Sequence, residues 1–114
     1  MTFTDDLTAG LRKWTEHHDP HVKAAVDLII WHDFWLRRND FRKACVTVDG
    51  DVWIRWADAR VFVDSGPRAS TSELAILDLA VALGENRYRL SSMGNAHSRA
   101  IADAVAAACA VGRG

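Results

Sequence analysis

The sequence predicts an α+β fold: a mostly helical single domain with an N-terminal antiparallel helical hairpin, one small β-hairpin and two C-terminal helices. Three observations lead to this prediction. Helix caps followed by apolar residues at helical spacing occur at both ends of the chain, and an Asp-Gly pair near its middle is flanked by alternating apolar residues. No repeat or linker divides the 114 residues, so residues 1–114 are predicted to form one globular domain.

Two N-terminal caps predict the helical hairpin. Thr4 precedes two aspartates and the first apolar positions of a helix that is predicted to end near His18. Asp19 and Pro20 then begin a second helix, because aspartate is a good N-cap and proline suits the first helical position. The short link between the two helices predicts antiparallel packing.

The second helix is predicted to carry two apolar faces, because a helix turns by about 100° per residue. One face holds Val22, Ala25, Val26, Ile29 and Leu36, and the nearly opposite face holds Ala24, Leu28, Trp31 and Trp35. The first helix can cover the first face. Two alternatives stay open for the second face: the C-terminal helices cover it, or they leave Trp35 for a partner. Arg37 and Arg38 are predicted in the last turn of this helix, and Asn39 or Asp40 caps a brief turn after it.

The segment CVTVDGDVWIRW predicts the β-hairpin. A two-residue loop of Asp49 and Gly50 has the better turn chemistry. We favour a three-residue loop that includes Asp51, because it gathers the apolar side chains on one face. In that register Val46 and Val48 align with Ile54 and Val52, and Trp53 and Arg55 lie outside.

The segment after Trp56 has two interpretations. Propensity favours a strand at Val61–Val63, whereas capping favours a short helix that Asp58 begins and Gly66 ends. Further along, Ser70 and Glu73 form a capping box for a helix that ends at Gly84. A last helix of about 14 residues follows, with Ile101 and Val105 on its inner face.

Four phrases, WLRRNDF, DGDVWIRW, ASTSELAILDLAVAL and MGNAHSRAIADAV, resemble a group of small uncharacterised proteins of high-GC actinobacteria and their phages. The resemblance covers most of Ala24 to Val105. It implies a helix at Asp58–Asp64. The chain departs from the group at His97, where asparagine is usual, and at Arg55, where an acidic residue is common. The group has no established activity, so the resemblance implies no site residue.

The composition argues against several classes of function. With 14 basic and 15 acidic side chains the formal net charge is −1, so no global field attracts nucleic acid or an anionic membrane. Charged residues interrupt the apolar stretches, and the N-terminus lacks the pattern of a signal peptide, so we expect a soluble, cytoplasmic protein without membrane partners. Cys45 and Cys109 are expected to be small buried hydrophobic residues rather than a disulfide.

The polar residues predict neither a catalytic site nor a metal site. The histidine-rich segment contains neither an HExxH motif nor a Cys/His pair, so no metal and no cofactor are expected. Ser91 and Ser92 lack a GxSxG context, and Cys45 has no neighbouring base, so an enzyme is not expected. The histidine-rich segment consists of His17, His18, Asp19, His21, His32 and Asp33.

Five tryptophans in so short a chain favour a protein-interaction role, because tryptophan is enriched at interface hot spots. Trp14, Trp31 and Trp56 can fill the core. Trp31 is also an interaction candidate because it shares a face with Trp35. The interaction candidates are Trp31, Trp35, Trp53 and Arg55.

The function we favour is a non-enzymatic protein-protein interaction domain, of phage or mobile-element origin, that self-associates or binds a host or partner protein. The alternative is a small nucleic-acid-binding regulator, because a basic segment lies near two aromatic rings and could contact phosphates. The residues of this basic segment are Arg37, Arg38, Arg42 and Lys43.

Overall fold

The computed structural model describes residues 3–87 and 95–109. The predicted, mostly helical α+β fold is confirmed, with one small antiparallel sheet in the described part of the chain. In chain order the elements are α1 (Phe3–Thr15), α2 (Pro20–His32), a 3-10 turn (Trp35–Arg37), α3 (Asn39–Cys45), β1 (Val46–Asp49), β2 (Asp51–Ile54), α4 (Trp56–Asp64), α5 (Thr71–Gly84) and α6 (Asn95–Cys109).

Helices α1 and α2 form the predicted hairpin. Asp19 precedes α2 in an extended conformation and Pro20 is its first residue, as predicted, although the Asp19 side chain makes no capping hydrogen bond. The predicted ends of α1 were wrong. The helix begins at Phe3, before Thr4, and ends at Thr15, whose hydroxyl donates to the carbonyl of Arg12 at 3.1 Å.

The end of α2 also differs from the prediction. Asp33 adopts a left-handed conformation (φ 52°, ψ 40°) and its N–H donates to the carbonyl of Ile29, which stops the helix at His32. The reversal turns Trp35 and Leu36 into the core. Arg37 therefore lies in the 3-10 turn and Arg38 follows it, so the prediction that they occupy the last turn of α2 was wrong.

The β-hairpin has the register that we favoured. Val46 pairs with Ile54, Val48 with Val52 and Thr47 with Trp53, so the apolar pairs share one face. Gly50 takes the tip with a φ of 77°. That apolar face packs on α1 where Gly10 leaves room for Val52. The gathering of apolar side chains on one face therefore determines the register, although a two-residue turn of Asp49 and Gly50 has the more favourable turn residues.

The segment after Trp56 forms helix α4, as the resemblance implied, and the alternative of a strand at Val61–Val63 was wrong. The helix begins at Trp56, and its N-cap Arg55 lies three residues before the predicted cap Asp58. Tertiary packing explains the choice, because only a helix places Ala59 in the core while Arg60 reaches α5.

The limits of α5 are those that the sequence predicts. Ser70 Oγ accepts from the N–H of Glu73, and Glu73 Oε1 accepts from the N–H of Ser70 at 2.8 Å, which completes the capping box. Because the carboxylate of Glu73 accepts the hydrogen bond from the Ser70 N–H, the pKa of Glu73 is lowered. The helix ends at Gly84 and packs against α2 and α4.

Helix α6 contributes less to the core than predicted. Ile101 is half-buried, but Val105 is 53% exposed, so its predicted place on an inner face was wrong. Helix α5 packs mainly against α2 and α4 rather than against α6. None of the helices that the structure describes is long and apolar enough to cross a membrane.

Gly84 provides a test of the α4–α5 packing. A Cβ atom at this position would lie 2.4 Å from Cδ2 of Trp56. Gly84→Ala should therefore lower the free energy of unfolding by about 1–3 kcal/mol, although the same change inside an exposed helix stabilises. Urea titration measures it, and a Trp56→Leu background is the control. If Gly84→Ala stabilises the protein in both backgrounds, this packing is wrong.

Candidate interaction site

The structure separates the four predicted interaction residues. Trp31 is 77% exposed on α2, so its expected place in the core was wrong, whereas Trp35 is 1% exposed. Trp53 is half-buried on the face of the hairpin that also carries Thr47. Arg55 is partly buried. The four residues therefore do not form one surface, and each has to be considered on its own.

Trp35 belongs to the core, which corrects its assignment to an interface. Its Nε1–H donates to the carbonyl of Glu73 at 3.0 Å and so links the 3-10 turn to the first turn of α5. Rings from other elements contact the indole edge-to-face or at a tilt. These are Phe34 at 5.0 Å, Phe41 at 6.1 Å and Phe62 at 5.8 Å between centroids.

Arg55 is bound within the chain, and its role as an interaction residue stays a prediction. Its guanidinium donates to the carbonyl of Ala44 at 2.6 Å and so caps the C-terminal end of α3. The same group donates to Thr47 Oγ1 at 2.7 Å and to Asp58 Oδ2 at 2.6 Å. These bonds join α3, the hairpin and α4, so Arg55 holds three elements together.

Two cations of the basic segment have carboxylate partners. Arg37 binds both oxygens of Asp33, at 3.0 and 2.8 Å, and this bidentate hydrogen bonding lowers the pKa of Asp33 and raises that of Arg37. Arg38 binds Asp40 in the same way, at 3.0 and 2.5 Å, which lowers the pKa of Asp40. Arg38 also donates to the carbonyl of Arg68 and lies 4.8 Å from the centroid of Trp35.

The other two cations line one side of a shallow cleft. Arg42 donates to the carbonyl of Leu36 at 2.8 Å. The ammonium of Lys43 is exposed and has no partner in the described part of the chain. Most hydrogen-bond donors of the basic segment are therefore bound to groups of the same chain and are not available to phosphates. This disfavours the nucleic-acid alternative.

The histidines do not converge. His21 Nδ1 lies 3.0 Å from the carbonyl of Leu83, and its Nε2 lies 3.5 Å from a carboxylate oxygen of Asp19. The His32 ring lies 5.7 Å from that of Phe34. Within residues 3–87 and 95–109, no three His, Cys, Asp or Glu side chains are grouped to hold a metal ion. Ser91, Ser92 and the side chain of Cys109 lie outside the described residues.

The exposed surface that can serve as an interaction site is the outer face of α2, which we define as Ala24, Leu28 and Trp31. Ala24 and Trp31 are exposed and Leu28 is half-buried. These residues follow one another at helical spacing, so they form a stripe along the helix. Helix α5 runs antiparallel beside α2. His21 at the start of α2 contacts the carbonyl of Leu83, and Trp35 in the turn after α2 donates to the carbonyl of Glu73. The stripe therefore lies on a helix that is held against α5 near both of its ends.

Sequence reasoning placed Trp31 and Trp35 on one face because it continued α2 past His32. A signal for the stop is present, since aspartate is one of the few non-glycine residues that enter the left-handed region readily. Asp33 occupies that position. Because the chain reverses direction at Asp33, Trp31 is exposed and Trp35 is buried.

Comparison of this chain with family models, curated proteins and solved structures finds no match.

The hydrogen bond of Trp35 can be tested by keeping an aromatic ring and removing the N–H. Trp35→Phe should lower the free energy of unfolding by about 1–3 kcal/mol, because it removes a buried donor and part of a packed ring. Trp31→Phe is the matched control and should change it by less than about 0.5 kcal/mol. Denaturant titration of both variants gives the values, and equal effects would contradict the contrast in burial.

Cys45 offers a chemical test of the core. Burial raises the pKa of its thiol to about 12, so the thiol is protonated at neutral pH and a poor nucleophile. In a Cys109→Ser variant, which leaves one thiol, a disulfide reagent at pH 8 should react with the native protein far more slowly than with the urea-unfolded chain. Similar rates for native and unfolded protein would show that Cys45 is accessible.

Proposed function

We propose that this chain is a non-enzymatic protein-interaction domain and that it contacts its partner through the outer face of α2. The observation that carries this proposal is the exposure of Trp31. The other four tryptophans are buried or half-buried, so the chain covers every indole except this one. An exposed indole supplies a large apolar contact with few rotatable bonds, and tryptophan is the residue most enriched at binding hot spots.

The surroundings of Trp31 support a protein as the partner. The stripe is apolar along its centre, and Asp27 beside it is paired with Lys23 at 3.1 Å and with Arg12 at 3.6 Å. An apolar centre with a charged rim of mixed sign is the usual composition of a protein interface. Neither sign dominates the rim, so the surface does not favour a phosphate backbone or an anionic membrane.

Binding rather than catalysis is supported by how the polar groups are used. The strongest group of charges, Arg60 with Asp78 at 2.7 Å and Glu85 at 2.9 Å, joins α4 to α5. Hydrogen bonding to Glu85 raises the pKa of Arg60, so this guanidinium stays charged and fixed. These charged side chains therefore hold together the helices against which α2 packs.

The partner of the outer face is a host protein or a second copy of the chain. The resemblance to proteins of high-GC actinobacteria and their phages makes an extract from such a bacterium the first source to examine. Self-association can be measured on the purified protein by itself. Association through the outer face depends on the indole of Trp31 in both cases, so one substitution tests both.

Trp31→Ala should weaken partner capture by about tenfold or more, which is the effect expected of a hot-spot tryptophan. Val61→Ala is the matched control, because Val61 is 68% exposed on α4. Immobilised wild type and both variants are used for capture from the extract and of the soluble chain itself, with size-resolved elution. If wild type and Trp31→Ala retain the same proteins equally, the outer face of α2 is not the binding site.

A further inference from the structure

The outer edge of β1 has backbone groups that the hairpin does not use. The N–H of Arg55 donates to the carbonyl of Cys45 at 2.7 Å, so these residues form a hydrogen-bonded pair at the start of the ladder. In an antiparallel ladder such pairs alternate with pairs that do not exchange hydrogen bonds. Val46 and Val48 belong to the second kind, and their backbone N–H and C=O groups therefore point away from β2.

Only one of these outward groups is satisfied within the described residues. The N–H of Val46 donates to the carbonyl of Arg42 at the end of α3. The carbonyl of Val46 and both backbone groups of Val48 have no partner there. The side chain of Val48 is also 57% exposed. An edge of this kind accepts another strand readily.

The charges beside this edge are arranged with opposite signs at its two ends. A cleft of about 360 Å³ lies at the α3 end, lined by Leu7, Asn39, Arg42, Lys43, Val46 and Val48. The ammonium of Lys43 is unpaired there. At the other end the hairpin tip carries the exposed carboxylates of Asp49 and Asp51, which have no ion-pair partner in the described part of the chain.

We propose that a second copy of this chain occupies the β1 edge, antiparallel and related by a twofold axis through Val48. The two hairpins then form one four-stranded sheet. Antiparallel pairing brings the acidic tip of each copy to the basic end of the other, so the two Asp51 carboxylates approach the two Lys43 ammonium groups. A parallel arrangement would instead place like charges together, which disfavours it.

The unsatisfied groups also select the register. With Val48 opposite Val48, each Val48 N–H donates to the other Val48 carbonyl, and both groups are available. A shift by two residues would put Val46 opposite Val48 and would require the N–H of Val46, which already donates to the carbonyl of Arg42. The twofold register therefore uses the available donors and acceptors, and it covers the exposed Val48 side chains with each other. It extends the proposed interaction function to a surface separate from the outer face of α2.

Charge exchange tests this interface. Lys43→Asp and Asp51→Lys should each weaken self-association by roughly tenfold, because each change places like charges together at two symmetric contacts. An equimolar mixture of the two variants should associate again, since opposite charges then meet at both contacts. Sedimentation velocity over a range of protein concentrations measures this, with circular dichroism to verify that each variant is folded.

A backbone test accompanies the charge test. Val48→Pro removes the outward N–H and leaves the β1–β2 hydrogen bonds in place, so it should abolish self-association while the fold is retained. Trp31→Ala should not affect this dimer. A monomeric wild type, an unaffected Val48→Pro variant, or a mixture of charge variants that fails to associate would each overturn the proposal. If Trp31→Ala alone abolishes the dimer, the β1 edge is wrong and the outer face of α2 remains the binding site.

Discussion

The buried indole of Trp35 determines how the other elements are arranged. Its N–H holds the first turn of α5, and its ring contacts Phe41 of α3 and Phe62 of α4. Arg38 covers the indole from the solvent side and is itself fixed by Asp40. A short 3-10 turn therefore anchors three helices through one side chain. This arrangement requires α2 to end at His32, because a longer helix would carry Trp35 out of the core.

Two arginines, Arg55 and Arg60, act as links between elements. Arg55 joins α3, the hairpin and α4, and Arg60 joins α4 to α5. A guanidinium suits this role because its five donors can serve several acceptors at fixed angles. The carbonyl of Ala44 at the end of α3 is one of the acceptors of Arg55, so this arginine helps to cap a short helix. A cluster of basic residues in such a sequence is therefore weak evidence for nucleic-acid binding.

Local rules predicted the parts of the fold that depend on neighbours in the sequence. The capping box at Ser70 fixed the start of α5, and the segregation of apolar residues fixed the hairpin register. The stop at Asp33 was missed because it rests on a left-handed residue that is not glycine. The contacts of Arg55 were missed because residues distant in sequence, Lys43, Ala44 and Thr47, supply three of its four acceptors. The candidate site could not be predicted for a similar reason. Trp31 and Trp35 differ in burial, and residue spacing alone does not show which of the two is buried.

The two proposed surfaces follow from the small size of the domain. Helix α5 packs between α2 and α4, and no further layer covers the outer side of α2 in the described part of the chain, so Trp31 is exposed. The sheet has two strands in the described chain, so an unpaired edge is unavoidable. Natural edges are commonly protected by a lysine or a proline pointing at the approaching strand. Here Lys43 lies at one end of the edge and acidic residues lie at the other. In the proposed dimer the acidic end of one copy meets the Lys43 end of the other. The same charges would repel a second copy in the parallel orientation and attract one in the antiparallel orientation.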